Sequence, residues 1–226
     1  MLKEIAAHRR EFEEAPEKVK QWVKKTVANE EAIAFVLASN ELESVGLKDE
    51  RSTRDLCEQV LKGILPSLDE KTHRETIQTL TALEKMDSIR KKNQQEEPLH
   101  HGWLYISPEH ICELHSVLME DLVQKPGQYR HNDAYPKGYH FMYSAPPLIP
   151  SHMFNWTDSL TDLVYDKDLS LEEIFKLAAL VMFNFLDVHP FSDGNGRLAR
   201  ILASHILSVY HFFPVHTSTL STSNKS

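Results

Sequence analysis

The chain has 226 residues, of which 41% are hydrophobic and 26% are charged, so it can bury a core and is expected to be a soluble globular protein. Its net charge of −8 argues against non-specific nucleic-acid binding, which needs a basic surface. No apolar stretch reaches the roughly 18 residues of a membrane-spanning helix. The chain has only two cysteines and a charged N-terminus that does not resemble a secretory signal, and both features favour a location in the cytoplasm.

The first 97 residues have the pattern of an N-terminal helical region. Helices are predicted over residues 1–40, with a break near Pro16, and over residues 51–65 and 69–92. The charged stretch Lys91–Pro98 ends in a proline and is predicted to be a linker, which places a domain boundary at residues 97–98. A second domain is then expected over residues 98–216, followed by a Ser/Thr-rich disordered tail over residues 217–226.

Another helix is predicted to begin at Ser107-Pro108, with the serine as N-cap and the proline at the first helical position. His110, Cys112 and His115 follow closely, but their spacing matches neither H-E-x-x-H nor paired C-x-x-C zinc ligands. Solvent-facing or capping histidines are therefore expected here in preference to a metal site.

Residues 171–188 predict an amphipathic helix that carries apolar side chains at spacings of three and four. Ser170 is its expected N-cap, with Glu173 reaching back to it. Pro190 ends the helix, because proline has no backbone N–H and disfavours helical geometry in the residue before it. His189 is thus expected at the helix end, where a polar side chain can project.

A glycine-rich turn, Ser192–Gly196, follows and leads into a further apolar helix. Free N–H groups and the positive end of the helix dipole make such a helix start a site for anions. Arg197 and Arg200 are three residues apart on the first turn, so both can lean toward one anion. A histidine, a carboxylate, an anion-binding turn and two arginines are what phosphoryl or nucleotidyl transfer requires.

The stretch His189–Arg200 resembles the signature of Fic-domain proteins, H-x-F-x-D/E-G-N-G-R-x-x-R, and fills each of its fixed positions. Upstream, Gly127–Arg130 resembles the G-x-Y-R start of the family's β-hairpin flap, and the residues around 140–150 resemble the flap and its exit. The resemblance implies a mainly α fold: a helical Fic core with a small β-hairpin flap, plus the N-terminal helical segment.

By this resemblance the chain is expected to be a nucleotidyltransferase that moves AMP from ATP to a Ser, Thr or Tyr hydroxyl of a target protein. The implied roles are a general base (His189), a ligand of Mg²⁺ (Asp193), a phosphate cradle (Gly194, Asn195, Gly196) and clamps on the β- and γ-phosphates (Arg197, Arg200). A phosphotransferase branch of the family has Ala-Asn-Lys-Arg in place of Gly-Asn-Gly-Arg. This chain keeps Gly194 and Gly196, which favours AMP transfer.

The resemblance also assigns a role to the flap. Its edge would align the target peptide by adding a strand to it. The residues expected to dock the target are Tyr139, His140, Phe141, Met142 and Tyr143.

An inhibitory motif is expected within a helix at about residues 33–46. Many Fic proteins resemble one another in an inhibitory helix with the pattern S/T-x-x-x-E-G/N, and Ser39–Glu43 fits it except that Ser44 stands at the last position. By the resemblance, Glu43 pairs with Arg200 and restrains the activity. Gly46 lies just beyond, as a helix C-terminus favours. Glu41 is a neighbouring carboxylate without such a role.

Other functions stay open from the sequence alone. One alternative is a Fic enzyme that removes AMP from its target or transfers another nucleotidyl or phosphoryl group. Another is a nucleotide-responsive binding module with little catalysis, although His189 and Asp193 favour an enzyme. A homodimer also stays open, and the target protein is not identified.

Overall fold

The computed structural model describes residues 8, 11–12, 14–64, 66–67, 70–96, 106–164 and 169–210, which are mainly helical. Within these ranges the α-helices are α1 (Glu17–Glu43), α2 (Glu50–Leu61), α3 (Lys71–Glu96), α4 (Pro108–Met119), α5 (Ile149–Val164), α6 (Leu171–Val188) and α7 (Asn195–Tyr210), and a 3₁₀ turn, Pro146–Leu148, precedes α5. The predicted disordered tail lies outside the described residues.

The helix starts follow local signals in the sequence. Helix α1 begins directly after Pro16, and the Asp49 side chain caps α2 by accepting a hydrogen bond of 2.7 Å from the Ser52 N–H. Both α4 and α6 begin with a capping box, on Ser107 and Ser170 respectively. The predicted start of α4 and both ends of α6 are thus confirmed.

The expected linker is helical for most of its length, which corrects the sequence-based expectation. Helix α3 continues through Glu96, so residues 91–96 belong to it. Lysine and glutamine are good helix formers, and Lys91 adds an ion pair of 2.5 Å to Asp87, one turn earlier. The predicted domain boundary at residues 97–98 lies outside the described residues and stays a prediction.

One hydrophobic core joins the N-terminal helices to the C-terminal ones. Helix α6 buries the face predicted from its spacing, including the fully buried Phe185, and packs on α7. Phe35 of α1 and Met86 of α3 belong to this same cluster, together with Leu202 of α7. The C-terminal end of α1 is therefore held close to α7.

The flap segment, residues 131–145, is not a β-hairpin, which corrects the expectation drawn from the resemblance. No strand occurs in the described part of the chain, and one backbone hydrogen bond, from Tyr143 N–H to the Ala134 carbonyl at 3.0 Å, joins the two arms. An isolated two-stranded ladder is marginal in water, and Pro136 cannot donate to one. Two flap carbonyls, those of Asn132 and Ser144, accept from the Arg130 guanidinium instead.

None of the described helices is both long enough and apolar enough to span a membrane.

Candidate active site

His189 is the C-cap of α6 and takes a left-handed backbone conformation, with φ 48° and ψ 60°. Its N–H still donates to the Phe185 carbonyl at 3.0 Å. A non-glycine residue in this conformation carries strain that its surroundings must offset. Arg130 stabilises this conformation with two hydrogen bonds. Its Nε donates to the His189 carbonyl at 2.7 Å, and its backbone N–H donates to the Pro190 carbonyl at 2.9 Å.

The His189 imidazole is half-buried and stacks on Tyr143, with ring centroids 4.1 Å apart and planes 8° from parallel. Burial lowers the pKa of the imidazole, and the positive charge of Arg130 lowers it further. The Leu186 carbonyl and the carboxylates of Glu43 and Asp193 oppose this effect. A depressed pKa keeps the ring neutral at pH 7, which is the state that a general base needs.

Asn195 closes the turn that follows. Its side-chain oxygen accepts from the Phe191 N–H at 3.1 Å, and its side-chain nitrogen donates to the Phe191 carbonyl at 2.8 Å. Both residues are buried. The Asn195 amide therefore holds the loop together, and the expected role of this side chain on a phosphate stays a prediction.

Asp193 is the carboxylate of this turn and is exposed to solvent. One of its oxygens accepts from the Gly194 N–H at 2.6 Å. Among the described residues no group of three or more His, Cys, Asp or Glu side chains is arranged to hold a metal. A single open carboxylate fits Mg²⁺, which binds through one or two carboxylates and takes its other ligands from phosphates and water.

Arg197, on the first turn of α7, carries a buried donor without a partner among the described residues. The residue is 2% exposed, its Nη2 contacts the Met119 sulfur at 3.2 Å, and its Nη1 has no hydrogen-bond partner among the described residues. Burial lowers the pKa of this guanidinium. A buried donor without a partner is costly, and a phosphate oxygen at the helix N-terminus would satisfy it.

Arg200, one turn later, contacts the end of α1. Its Nε donates to the Ser39 hydroxyl at 2.9 Å, and its Nη2 donates to the Ser39 carbonyl at 3.1 Å and to Glu43 Oε1 at 2.7 Å. The Glu43 carboxylate also lies against Gly196, where an added Cβ would collide with it. The structure thus brings Ser39, Glu43, Gly196 and Arg200 together.

Two residues at the site have roles that the sequence did not indicate. His115 was expected to face solvent or cap a helix, but it is buried: its Nδ1 accepts from the Gly127 N–H at 2.8 Å and its ring stacks on Phe191 at 3.7 Å. Its Nε2 lies 3.1 Å from the Asp193 carbonyl, and burial lowers its pKa to about 4. The helical spacing of Ile111, Leu114, His115 and Leu118 would have revealed its buried position.

Arg130 is the second such residue, because the sequence marked it only as part of the flap's start. Its partners are backbone carbonyls on both arms of the flap and on His189. A row of three aromatic rings follows along the flap. The ring centroids of Tyr143 and Phe141 are 6.1 Å apart, and those of Phe141 and Tyr139 are 5.8 Å apart. Tyr139 is 66% exposed and Phe141 53%, and the neighbouring His140 and Met142 are exposed as well.

The sequence over residues 105–207 matches the Fic/DOC family. A Fido domain-containing protein of Dictyostelium discoideum is 33% identical over 101 residues, which are 44% of this chain and 67% of that protein. A protein adenylyltransferase Fic of Nematostella vectensis is 26% identical over 123 residues, 49% of this chain, and this chain spans only 27% of its length.

Solved structures agree with the sequence match. A Fic domain-containing signalling protein of Bacteroides thetaiotaomicron aligns with a TM-score of 0.68 and 25% identity over 92% of this chain and 73% of that one. Fic-1 of Caenorhabditis elegans shares the fold with a TM-score of 0.67 and 21% identity, over 95% of this chain and 58% of that one. With His189–Arg200 assembled around the start of α7, the chain belongs to the Fic/DOC family.

Proposed function

We propose that this chain is a protein adenylyltransferase that uses ATP and Mg²⁺ and is restrained by its own helix α1. One observation carries the proposal: the Asp193 carboxylate, in the turn before α7, is close enough to act on the pKa of both His189 and Arg197, and the Nη1 of Arg197 is buried and has no partner among the described residues. A base, a single open carboxylate and an anion-binding helix start together suit the transfer of a nucleotidyl group. Relatives named protein adenylyltransferase support the same reaction.

The neutral imidazole of His189 takes the proton from the target hydroxyl as its oxygen attacks the α-phosphorus of ATP. The bond between the α-phosphorus and the bridging oxygen breaks, and pyrophosphate leaves. Arg197 and the N–H groups at the start of α7 hold the phosphates, and Arg200 would hold the terminal ones once it is free. Mg²⁺, held by Asp193, would neutralise charge on the phosphates.

The position of the Glu43 carboxylate supports the proposed restraint by α1. It occupies the Arg200 guanidinium and lies against Gly196, in the region where we place the terminal phosphates. A carboxylate and a phosphate cannot both occupy this position. ATP must therefore displace Glu43 or bind in a shifted, unproductive pose.

Magnesium-dependent label transfer tests the proposal. The protein is incubated with a cell lysate, as a source of hydroxyl acceptors, and with ATP labelled at either the α- or the γ-phosphate. The variants are wild type, Glu43→Gly, Glu43→Gly with His189→Ala, and Glu41→Gly. The last is a matched control, since Glu41 is an exposed glutamate near the same helix end and is not among the described hydrogen-bond partners of Arg200, which are Ser39 and Glu43.

We expect protein-bound label from the α-position only, increased by Glu43→Gly, unchanged by Glu41→Gly, and reduced at least about 100-fold when His189 is also removed. Label from the γ-position would indicate phosphoryl transfer. ATP binding without covalent label in any variant would indicate a binding module. Equal rates for Glu43→Gly and wild type would refute the restraint while leaving the transferase intact.

A further inference from the structure

The His189 ring has no well-formed hydrogen bond at Nδ1 among the described residues, although such a bond normally orients a catalytic imidazole. A functional histidine usually donates or accepts at one ring nitrogen, which fixes its orientation and tautomer. Here Nδ1 is buried and no partner in the described part of the chain reaches it with hydrogen-bond geometry. The Leu186 carbonyl accepts weakly from this ring and so raises its pKa, but the contact falls short of a well-formed hydrogen bond.

The close planar contact of this ring is with Tyr143. The two planes are 8° from parallel at 4.1 Å, and Tyr143 is itself half-buried. A stacked partner restricts ring rotation and covers one face from water. Tyr143 thus supplies an orienting contact that supplements this weak hydrogen bond.

Tyr143 can do this because its backbone is fixed relative to that of His189. Arg130 donates both to the carbonyl of Ser144, the next residue, at 2.5 Å and to the His189 carbonyl at 2.7 Å. The Ser144 hydroxyl lies 2.9 Å from His152 Nδ1, which ties the same point to α5. Tyr143 N–H is held by the Ala134 carbonyl at 3.0 Å.

We propose that Tyr143 is a positioning residue for the reaction: the inner end of the flap orients the His189 base by stacking on it. This inference rests on the proposed role of His189 as the base. It separates the flap into two parts. Tyr139 and Phe141 remain exposed and available to a target, whereas Tyr143 belongs to the support of the base.

Imidazole NMR on the full chain tests the proposal without any need for activity. Long-range ¹H–¹⁵N spectra are recorded across a pH titration, and the His189 signals are assigned by their loss in His189→Ala. The variants are Tyr143→Ala, Tyr143→Phe, which keeps a ring, and Tyr135→Ala, which removes an exposed tyrosine of the flap as a control. Arg130, Glu43 and Asp193 are the charged groups that act on His189, and all variants retain them.

We expect Tyr143→Ala to raise the His189 pKa toward its ordinary value of about 6.5, because the ring loses its cover from water. Tyr143→Phe and Tyr135→Ala should titrate as the wild type does. In the Glu43→Gly background, Tyr143→Ala should lower the turnover rate about 10- to 100-fold at unchanged KM for ATP, and Tyr143→Phe should restore most of it.

A role in target docking alone would give a different result. Tyr143→Ala would then reduce labelling of lysate proteins but leave the His189 titration unchanged, and this would overturn the proposal. If the circular dichroism spectrum of Tyr143→Ala lacks the helical signal of the wild type, the variant Tyr143→Leu is used in its place, since leucine fills the space without a ring. An absence of AMP transfer in every variant would refute the proposed function, and the NMR titration would still decide the role of Tyr143.

Discussion

Arg200 makes its described side-chain hydrogen bonds to one turn of α1, so these contacts occupy a guanidinium that a nucleotide is expected to need. Its side chain is 12% exposed, whereas that of Glu43 is 38% exposed. Solvent weakens an ion pair at such a position. The restraint therefore depends on the carboxylate and the Ser39 contacts occupying Arg200, more than on the strength of one charge pair.

Ser39→Ala is predicted to raise the transfer rate, but less than Glu43→Gly does. The change removes one acceptor from Arg200 Nε, while the Ser39 carbonyl and Glu43 still hold Nη2. A single hydrogen bond of about 1 kcal/mol corresponds to an increase of roughly fivefold. Initial rates of α-label incorporation measure it.

Ser88→Ala is the matched control for that measurement, because the Ser88 hydroxyl only donates to the Glu84 carbonyl within α3. It should leave the rate at the wild-type value. A Ser39→Ala rate equal to that of wild type would show that the serine does not contribute to the restraint.

At the scale of helices, α3 holds the end of α1 in place. The chain leaves α1 through Ser44, at φ 57°, and Gly46, at φ 68°, and then meets α3. The buried Glu75 accepts from the Gly46 N–H at 2.8 Å, and Thr76 Oγ1 accepts from the Leu47 N–H at 3.0 Å. A Cβ at Gly46 would lie 2.9 Å from Thr76 Oγ1, so this approach requires glycine.

Glu75→Ala is predicted to release the restraint from a distance. The Gly46 N–H would lose its acceptor, at a cost of about 1–3 kcal/mol in the free energy of unfolding, and the end of α1 would be less firmly held. The rate of α-label transfer should rise in the wild-type background but not in Glu43→Gly, where no restraint remains. Urea unfolding and initial rates measure the two effects.

Glu75→Gln is the control, since its side-chain oxygen can still accept from Gly46. Its rate should stay nearer to the wild-type rate than that of Glu75→Ala. An increase of the same size in the Glu43→Gly background would show that Glu75 acts on the site by another route.

What could be predicted from sequence depended on how local each signal is. The helix 171–188 and its caps could be predicted from spacing and from Ser170 alone, and the motif His189–Arg200 was visible because its residues are adjacent. The support of the site was not visible. Arg130 binds carbonyls as far as 59 residues away, and a carbonyl has no side-chain signature. The flap prediction was wrong because the resemblance implied a ladder, whereas Pro136 cannot donate to one and the Arg130 guanidinium takes two flap carbonyls instead.

At the scale of the whole molecule, the shared core carries buried titratable groups. His205 of α7 is buried, and its Nε2 has no partner among the described residues. Burial lowers its pKa to about 3, with Arg90 lowering it and Asp87 raising it. His115 is lowered to about 4 in the same way. Both histidines are neutral in the native state at pH 7.

These buried histidines predict a loss of stability in acid. The unfolded state takes up a proton at each histidine below about pH 6.5, whereas the folded state does so only near pH 4 and pH 3. The contribution of each neutral, buried histidine to the free energy of unfolding is therefore fully present above the pKa that the histidine has in the unfolded state. It falls as the pH decreases through the window between the two values, by about 1.4 kcal/mol per pH unit.

His205→Leu is predicted to reduce this sensitivity to acid. Leucine fills a similar volume without a titratable group, and it removes the unpartnered Nε2, so the variant should be at least as stable at pH 7. Between pH 7 and pH 5 the decrease in the free energy of unfolding should shrink by about 2 kcal/mol relative to wild type. Urea unfolding at the two pH values measures it, with His131→Leu as a control at an exposed histidine.

An unchanged pH dependence in His205→Leu would mean that His205 takes up its proton in the folded state as readily as in the unfolded one. The enclosure of His205 within the core would then not determine its titration.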